Sequence, residues 1–169
     1  MKIRKADASE VELCASIYET ARGFMRANGN HEQWTGGYPS IKDAQQDFDR
    51  GNLYVCEEDG QVLACFTFHP GPDPAYAIIE DGSWVNDAPY WVLHRIAVGV
   101  QGKGVGTYCL TWLKEHQSNI RADTHELNTA MQAVFKKCGF VRCGIIYTKD
   151  GAPRVSFQYV EGTTKGQAA

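Results

Sequence analysis

Residues 96–113, IAVGVQGKGVGTYCLTWL, carry the densest chemical signal in the chain. A β-branched run enters a glycine turn, and the turn leads directly into an amphipathic helix. Such a junction leaves main-chain N–H groups unpaired at a helix start, where the aligned peptide dipoles favour negative charge. Gly102, Gly104 and Gly106 let the backbone approach a bulky anion closely, and Lys103 adds a point charge. A diphosphate suits that chemistry. Two common phosphate motifs do not fit. A Walker A loop needs Gly-Lys followed by Ser or Thr, whereas Lys103 precedes Gly104 and Ala97 occupies the place of the leading glycine. The dinucleotide fingerprint G-x-G-x-x-G, begun at Gly102, puts its third glycine on Thr107 and falls too late in the chain.

The run Gln101-Gly102-Lys103-Gly104-Val105-Gly106 resembles the Q/R-x-x-G-x-G/A signature of the GNAT superfamily of N-acetyltransferases. Downstream, DTHELNTAMQAVFKKCGFVRCG (123–144) resembles that family's second motif of strand, Asn, helix and Gly-Phe. With the element order, the resemblance covers about residues 1–160. It implies an α/β (α+β) fold with a mixed, mostly antiparallel central sheet and helices on both faces. It also implies acetyl-CoA as co-substrate and direct acetyl transfer to a primary amine of a small molecule or peptide. By resemblance, backbone amides from Gln101 to Thr107, Val105 included, cradle the diphosphate. The main chain of Ile96, Ala97 and Val98 pairs with the pantetheine arm, Asn128 hydrogen-bonds the cofactor, and Phe135 lines its path. The family permits a homodimer.

The implied reaction sets its own demands. An alkyl amine has a reference pKa near 10.4, so presenting it neutral at pH 7 costs roughly 4–5 kcal/mol. A leaving thiolate, taken at about 8.5, costs only roughly 2 kcal/mol, so a base matters more than an acid. His94 is the first candidate base: counting by twos along the strand puts it on one face with Ile96 and Val98, and imidazoles titrate near neutrality. A packed structural histidine is the alternative, and Glu80 and Asp81, just after a strand-like run, are the next candidates to bind the ammonium or relay its proton. Many family members carry a Tyr seven residues after the Asn to protonate the departing sulfur. Here that residue is Phe135, so another group or water must serve, with Tyr147 and Tyr108 the nearest candidates, or the thiolate leaves unaided. The Val98 N–H is the expected donor to the charged acyl oxygen. Trp34 and Tyr38 lie on a loop that covers the acceptor in this family, and with Trp84 they are candidate substrate contacts. Phe135 also allows a second reading, a non-catalytic acyl-CoA-binding or sensing module of the same fold.

The elements that position these groups follow from pattern. Residues 2–6 read as a strand. Ser9 and Glu12 form a capping-box pattern before a helix over 10–26 with Leu13, Ile17, Ala21 and Phe24 inward. Asn28–Ser40 is a loop, Ser40 caps a second helix, and Gly51 ends it. LYVCEE and QVLACFTFH form a hairpin turning at Asp59–Gly60. AYAII and YWVLHRIAV predict two strands, followed by helices over 104–117 and 128–137 around a strand near 120–124. Gly139 caps the last helix, His125 positions the loop before Asn128, and Trp112 is a core residue. A final hairpin turns at Asp150–Gly151, and residues 161–169 read as a disordered tail after a single domain over 1–160.

Composition narrows the class. The 169 residues carry a net charge of −3, and 43% are hydrophobic. A mildly acidic chain is a poor partner for nucleic acid, which calls for a basic surplus. No stretch approaches a membrane span, and MKIRKADASEVE lacks the apolar core of a signal peptide, so a cytoplasmic protein is expected. The six cysteines lie mainly in apolar runs and read as reduced core thiols. Cys138 and Cys143 have the wrong spacing for a metal site, and no metal is expected.

Overall fold

The structure is a computed structural model in which residues 1–163 are described. The chain runs β1 (Lys2–Lys5), α1 (Val11–Ala27), α2 (Ile41–Asp49), β2 (Leu53–Glu58), β3 (Gln61–Pro70), β4 (Trp91–Val98), α3 (Val105–His116), β5 (Asn119–Thr124), α4 (Thr129–Lys137), β6 (Val141–Tyr147) and β7 (Pro153–Val160), with 3₁₀ turns at Ala8–Glu10 and Pro74–Tyr76. The strands form a seven-stranded sheet in the order β1-β2-β3-β4-β5-β7-β6. Pairing is antiparallel for β1–β2, β2–β3, β5–β7 and β6–β7, and parallel for β4–β5. This is the mixed α/β sheet that the sequence implies. Two compact units form: Met1–Phe68 with His94–Cys109, and His69–Leu93 with the chain from Leu110 onward. The sequence marks no boundary between them because each unit is assembled from two separated stretches.

In the first unit α1 buries Val11, Cys14, Ile17, Tyr18, Ala21 and Met25. Leu13, expected inward, is 42% exposed. The stripe through positions 14, 17, 18, 21 and 25 holds more apolar surface than the one through 13, so it takes the core side. The helix entrance also differs from expectation. Asp7 N–H, not Ser9, starts the turn, donating to Glu10 Oε2 at 2.8 Å, and Arg4 grips the same carboxylate at 2.7 Å. The second helix starts as expected, with Lys42 N–H donating to Ser40 Oγ at 3.2 Å and Ser40 N–H to Asp43 at 2.7 Å. Asp59 and Gly60, at φ +52° and +78°, make the expected two-residue turn between β2 and β3. All six cysteines are free and buried.

The second unit departs from expectation over residues 75–79. No strand forms there. Pro72 and Pro74 remove two donors, and Asp73 accepts Ala75 N–H at 2.8 Å to set a 3₁₀ turn instead. Only the Glu80–Ile145 bridge pairs this segment with β6. Side chains then fasten it down: Gln158 accepts Val85 N–H at 2.8 Å, Asn119 donates to Asn86 Oδ1 at 3.0 Å, and Arg121 donates to Asn86 O at 2.7 Å. The Arg121 guanidinium is held between Trp84 and Tyr90, 4.2 and 3.9 Å from their ring centres. Gly139, at φ +85°, ends α4 as expected. Trp112 is half-buried rather than core, its ring stacked on His116 at 3.9 Å. Glu161 N–H donates to Ser118 O at 2.8 Å, so the start of the expected tail is a turn. Residues 164–169 lie outside the described residues. Among the described residues, no helix is long and apolar enough to cross a membrane.

Gly144 is one of two glycines, with Gly82, at which the fastened segment and β6 come into close contact. It adopts φ +158°, and a Cβ there would collide with Glu80 O and press Ile79 Cγ1 at 3.0 Å. Backbone and neighbour both oppose a side chain. Gly144→Ala is expected to lower unfolding free energy by about 2–4 kcal/mol, the range of severe single-site lesions. A denaturant midpoint close to that of the native chain would contradict this.

Candidate functional site

Gly99 N–H donates to Leu63 O at 2.8 Å where the chain leaves β4, fixing the strand's exit. The following turn is open. Gln101, Gly102, Lys103 and Gly104 are exposed, and no heavy atom lies within 4 Å of where a Cβ would stand at Gly102 or Gly104. Those two glycines sit at φ +81° and +69°, a region that disfavours most side chains. Space for a ligand is therefore present, and the backbone sign that shapes the turn comes from glycine.

The turn's donors are the telling feature. At this end of α3 Tyr108 N–H donates to Gly104 O at 2.9 Å. Upstream, the N–H groups of Gln101 through Gly106 have no hydrogen-bond acceptor among the described residues. A run of successive free amides at the N-terminus of a 12-residue helix, on an open glycine turn, presents the donors and dipole that attract anions. Lys103 Nζ stands 3.6 Å from Glu58 Oε2, a solvent-facing pair that leaves it able to reorient.

The other expected residues are distributed as follows. In the first unit, Ala97 is buried while His94, Ile96 and Val98 are half-buried. Arg95 adopts φ +50° between His94 and Ile96, which interrupts the regular alternation on which the count by twos depends. Trp34 is 7% exposed and packs edge-on against Tyr18 at 5.9 Å, as a core residue rather than an open loop contact. Tyr38 is 44% exposed. Tyr108 donates its hydroxyl to Met1 O at 2.6 Å.

In the second unit, Tyr147 donates to Glu80 Oε2 at 2.9 Å on the exposed side of β6. That hydrogen bond raises the Tyr147 pKa above the ordinary phenol value, so its proton is held more tightly. Asp81 is exposed at φ +54°. Trp84 donates Nε1–H to Tyr76 O at 3.0 Å and walls a cleft of about 430 Å³ with Tyr76, Tyr90 and Arg121. Its ring face is taken by Arg121. Asn128 caps α4, its Oδ1 accepting Met131 N–H at 3.1 Å. His125 positions that start as expected, its Nδ1 accepting Leu127 N–H at 3.0 Å. Phe135 is 1% exposed and stacks on Phe157 at 4.9 Å, so it serves the core.

One cluster escaped the sequence reading. Asp47 is buried on α2, accepts the Thr67 hydroxyl at 2.6 Å, and stands 3.5 Å from Arg95 Nε. The only hint in the sequence is an acid on the apolar side of a short helix.

A strand thus opens through a glycine turn into a row of free amides within a mixed sheet. Residues 15–140 match the acetyltransferase (GNAT) family model, and the chain belongs to that family. A GNAT-family acetyltransferase from Streptococcus agalactiae is 31% identical over 96% of this chain and 96% of its own, with a TM-score of 0.88. Two more distant structures share the fold. One, from Salmonella typhimurium, was solved with its cofactor acetyl-CoA and is 17% identical over 99% of this chain and 98% of its own, with a TM-score of 0.62. The other is a ribosomal-protein-alanine N-acetyltransferase from Brucella melitensis, 19% identical over 95% and 99%, with a TM-score of 0.65. Among curated proteins none matches.

Proposed function

We propose that this protein transfers an acetyl group from acetyl-CoA directly to the amine of a small molecule or peptide. The observation that carries the reading is the row of unpaired N–H groups from Gln101 to Gly106 on an open turn. The open space at Gly102 and Gly104 fits a diphosphate against the main chain. Bound acetyl-CoA supplies the acyl group already activated as a thioester.

The chain's own residues then have distinct tasks. Amides from Gln101 to Thr107 hold the diphosphate. The main chain of Ile96, Ala97 and Val98 aligns the pantetheine arm, and the Val98 N–H steadies negative charge on the acyl oxygen. His94 takes a proton from the acceptor, offsetting part of the roughly 4–5 kcal/mol needed to present a neutral alkyl amine. Asn128 acts through the start of α4, which its cap fixes. The Glu80–Tyr147 pair has the chemistry to attract an ammonium, and Asp81 beside it adds negative charge. With the Tyr147 proton held tightly, the thiolate leaves without a dedicated acid at a cost of roughly 2 kcal/mol. The direct route is preferred to an acyl-enzyme through Cys109 or Cys138, since the hydrogen bond with Cys56 and burial push the Cys109 thiol well up and burial raises that of Cys138. Six free thiols and acetyl-CoA use suit a cytoplasmic setting.

The test is thiol release from acetyl-CoA by the whole protein with a broad amine panel, with product masses recorded. At least one amine class is expected to accelerate release and gain the mass of an acetyl group. Tight acetyl-CoA binding with no turnover across the panel would instead show a sensing module, a reading that Phe135 in the place of the family Tyr favours.

A further inference from the structure

We infer that Arg95 grips a carboxylate on the acceptor, so that the substrate is an amine that also bears a carboxylate group. This rests on the acetyl-transfer reading above and names the substrate class for that site. Arg95 sits in the middle of β4 at φ +50°, a conformation costly for a long side chain in a strand. That positive φ interrupts the two-residue alternation of side chains along β4 at this point. Its side chain is only 17% exposed, yet it makes no hydrogen bond among the described residues, and its Nε is buried without a partner. Asp47 answers the charge at ion-pair distance, while the two terminal nitrogens carry no hydrogen bond among the described residues and are not sealed from solvent as Nε is.

The surroundings hold that guanidinium in one pose. Asp47 Oδ2 stands beside Nε at 3.5 Å and is itself fixed by the Thr67 hydroxyl. The Tyr38 ring lies 5.7 Å from the guanidinium carbon. The Tyr18 hydroxyl, also buried and without a partner, belongs to the same cluster. With Asp47 on the Nε side, the two terminal nitrogens are left as a planar fork, the geometry that carboxylates accept in bidentate fashion. One arginine can serve two carboxylates: Arg4 in this chain bonds both Glu10 and Glu57 at 2.7 Å. Asp47 has already cancelled much of the charge, so a monoanion suits the fork better than a phosphate dianion. Val98 lies three residue steps beyond Arg95 on the strand, about 10 Å at ~3.3 Å per step, within reach of a short amino acid or a peptide end.

The experiment compares amino carboxylates with their carboxamides and phosphonate analogues, using the full chain and acetyl-CoA. In the native protein kcat/KM is expected to favour the carboxylate over the carboxamide by at least about 10-fold. Arg95→Gln is expected to bring that ratio to about one, chiefly through KM, with acetyl-CoA affinity unchanged. Arg95→Lys, which keeps the charge beside Asp47, retains part of the preference and guards against a folding defect. Equal use of carboxamides by the native protein, a preference that survives Arg95→Gln, or better turnover of phosphonates would each overturn the inference. If no amine is turned over, the acetyl-transfer reading fails separately, and the carboxylate site is read directly from the Arg95 Nε–H NMR signal. A shift of that signal with amino carboxylates but not with carboxamides supports the site, and no shift with either refutes it.

Discussion

Gly104→Asp is expected to abolish acetyl-CoA binding while the protein stays folded. The residue sits at φ +69° with open space around it, and aspartate tolerates that backbone region better than most side chains. The cost to folding is therefore modest, about 0.5–1 kcal/mol. The cost to binding is large, because a carboxylate would stand where a diphosphate must lie against the turn, repelling it in a partly desolvated site. A rise in Kd of at least about 1000-fold, roughly 4 kcal/mol, is expected by calorimetry. The melting temperature without ligand should fall by only a few degrees. Gly104→Ala separates charge from backbone strain and should keep binding within about 10-fold of native. An unchanged affinity in the aspartate variant would show that the turn is not the cradle.

His94→Gln carries the second large effect. Glutamine keeps much of the volume and some hydrogen bonding at that point of β4 but cannot accept a proton. Positioned general bases contribute roughly 100- to 10,000-fold, so a fall in kcat of about 100- to 1000-fold is expected at saturating acetyl-CoA, with cofactor affinity unchanged. Single-turnover measurements with an acceptor from the amine panel give the comparison. Full activity in the variant would make His94 a packing residue and hand the proton to water or another group. A collapse of the melting temperature together with activity would point the same way.

Local pattern carried the sequence reading a long way, and its failures have physical causes. The glycine turn, the Asp59–Gly60 hairpin, the Ser40 cap and Gly139 were legible because each depends on a few neighbouring residues. The strand expected over 75–79 was not, since its fate is settled by distant groups. Gln158, Asn119 and Arg121 fasten the following loop, and proline and Asp73 divert the chain before it. The positive φ at Arg95 is likewise invisible in the sequence, because a period-two count assumes an unbroken pleat. Trp34, an aromatic in a glycine-rich loop and a candidate acceptor contact by pattern, turns inward onto Tyr18. Tertiary partners, not composition, decide such cases.

An amide NMR titration of the full chain with coenzyme A tests the central claim most directly, because it reads each main-chain donor separately. Resonances of Gln101, Gly102, Lys103, Gly104, Val105 and Gly106 should move together and their hydrogen exchange should slow, while pantetheine without the diphosphate should leave them nearly unmoved. Tight binding that leaves those six signals in place, or that perturbs them equally with pantetheine, would contradict it.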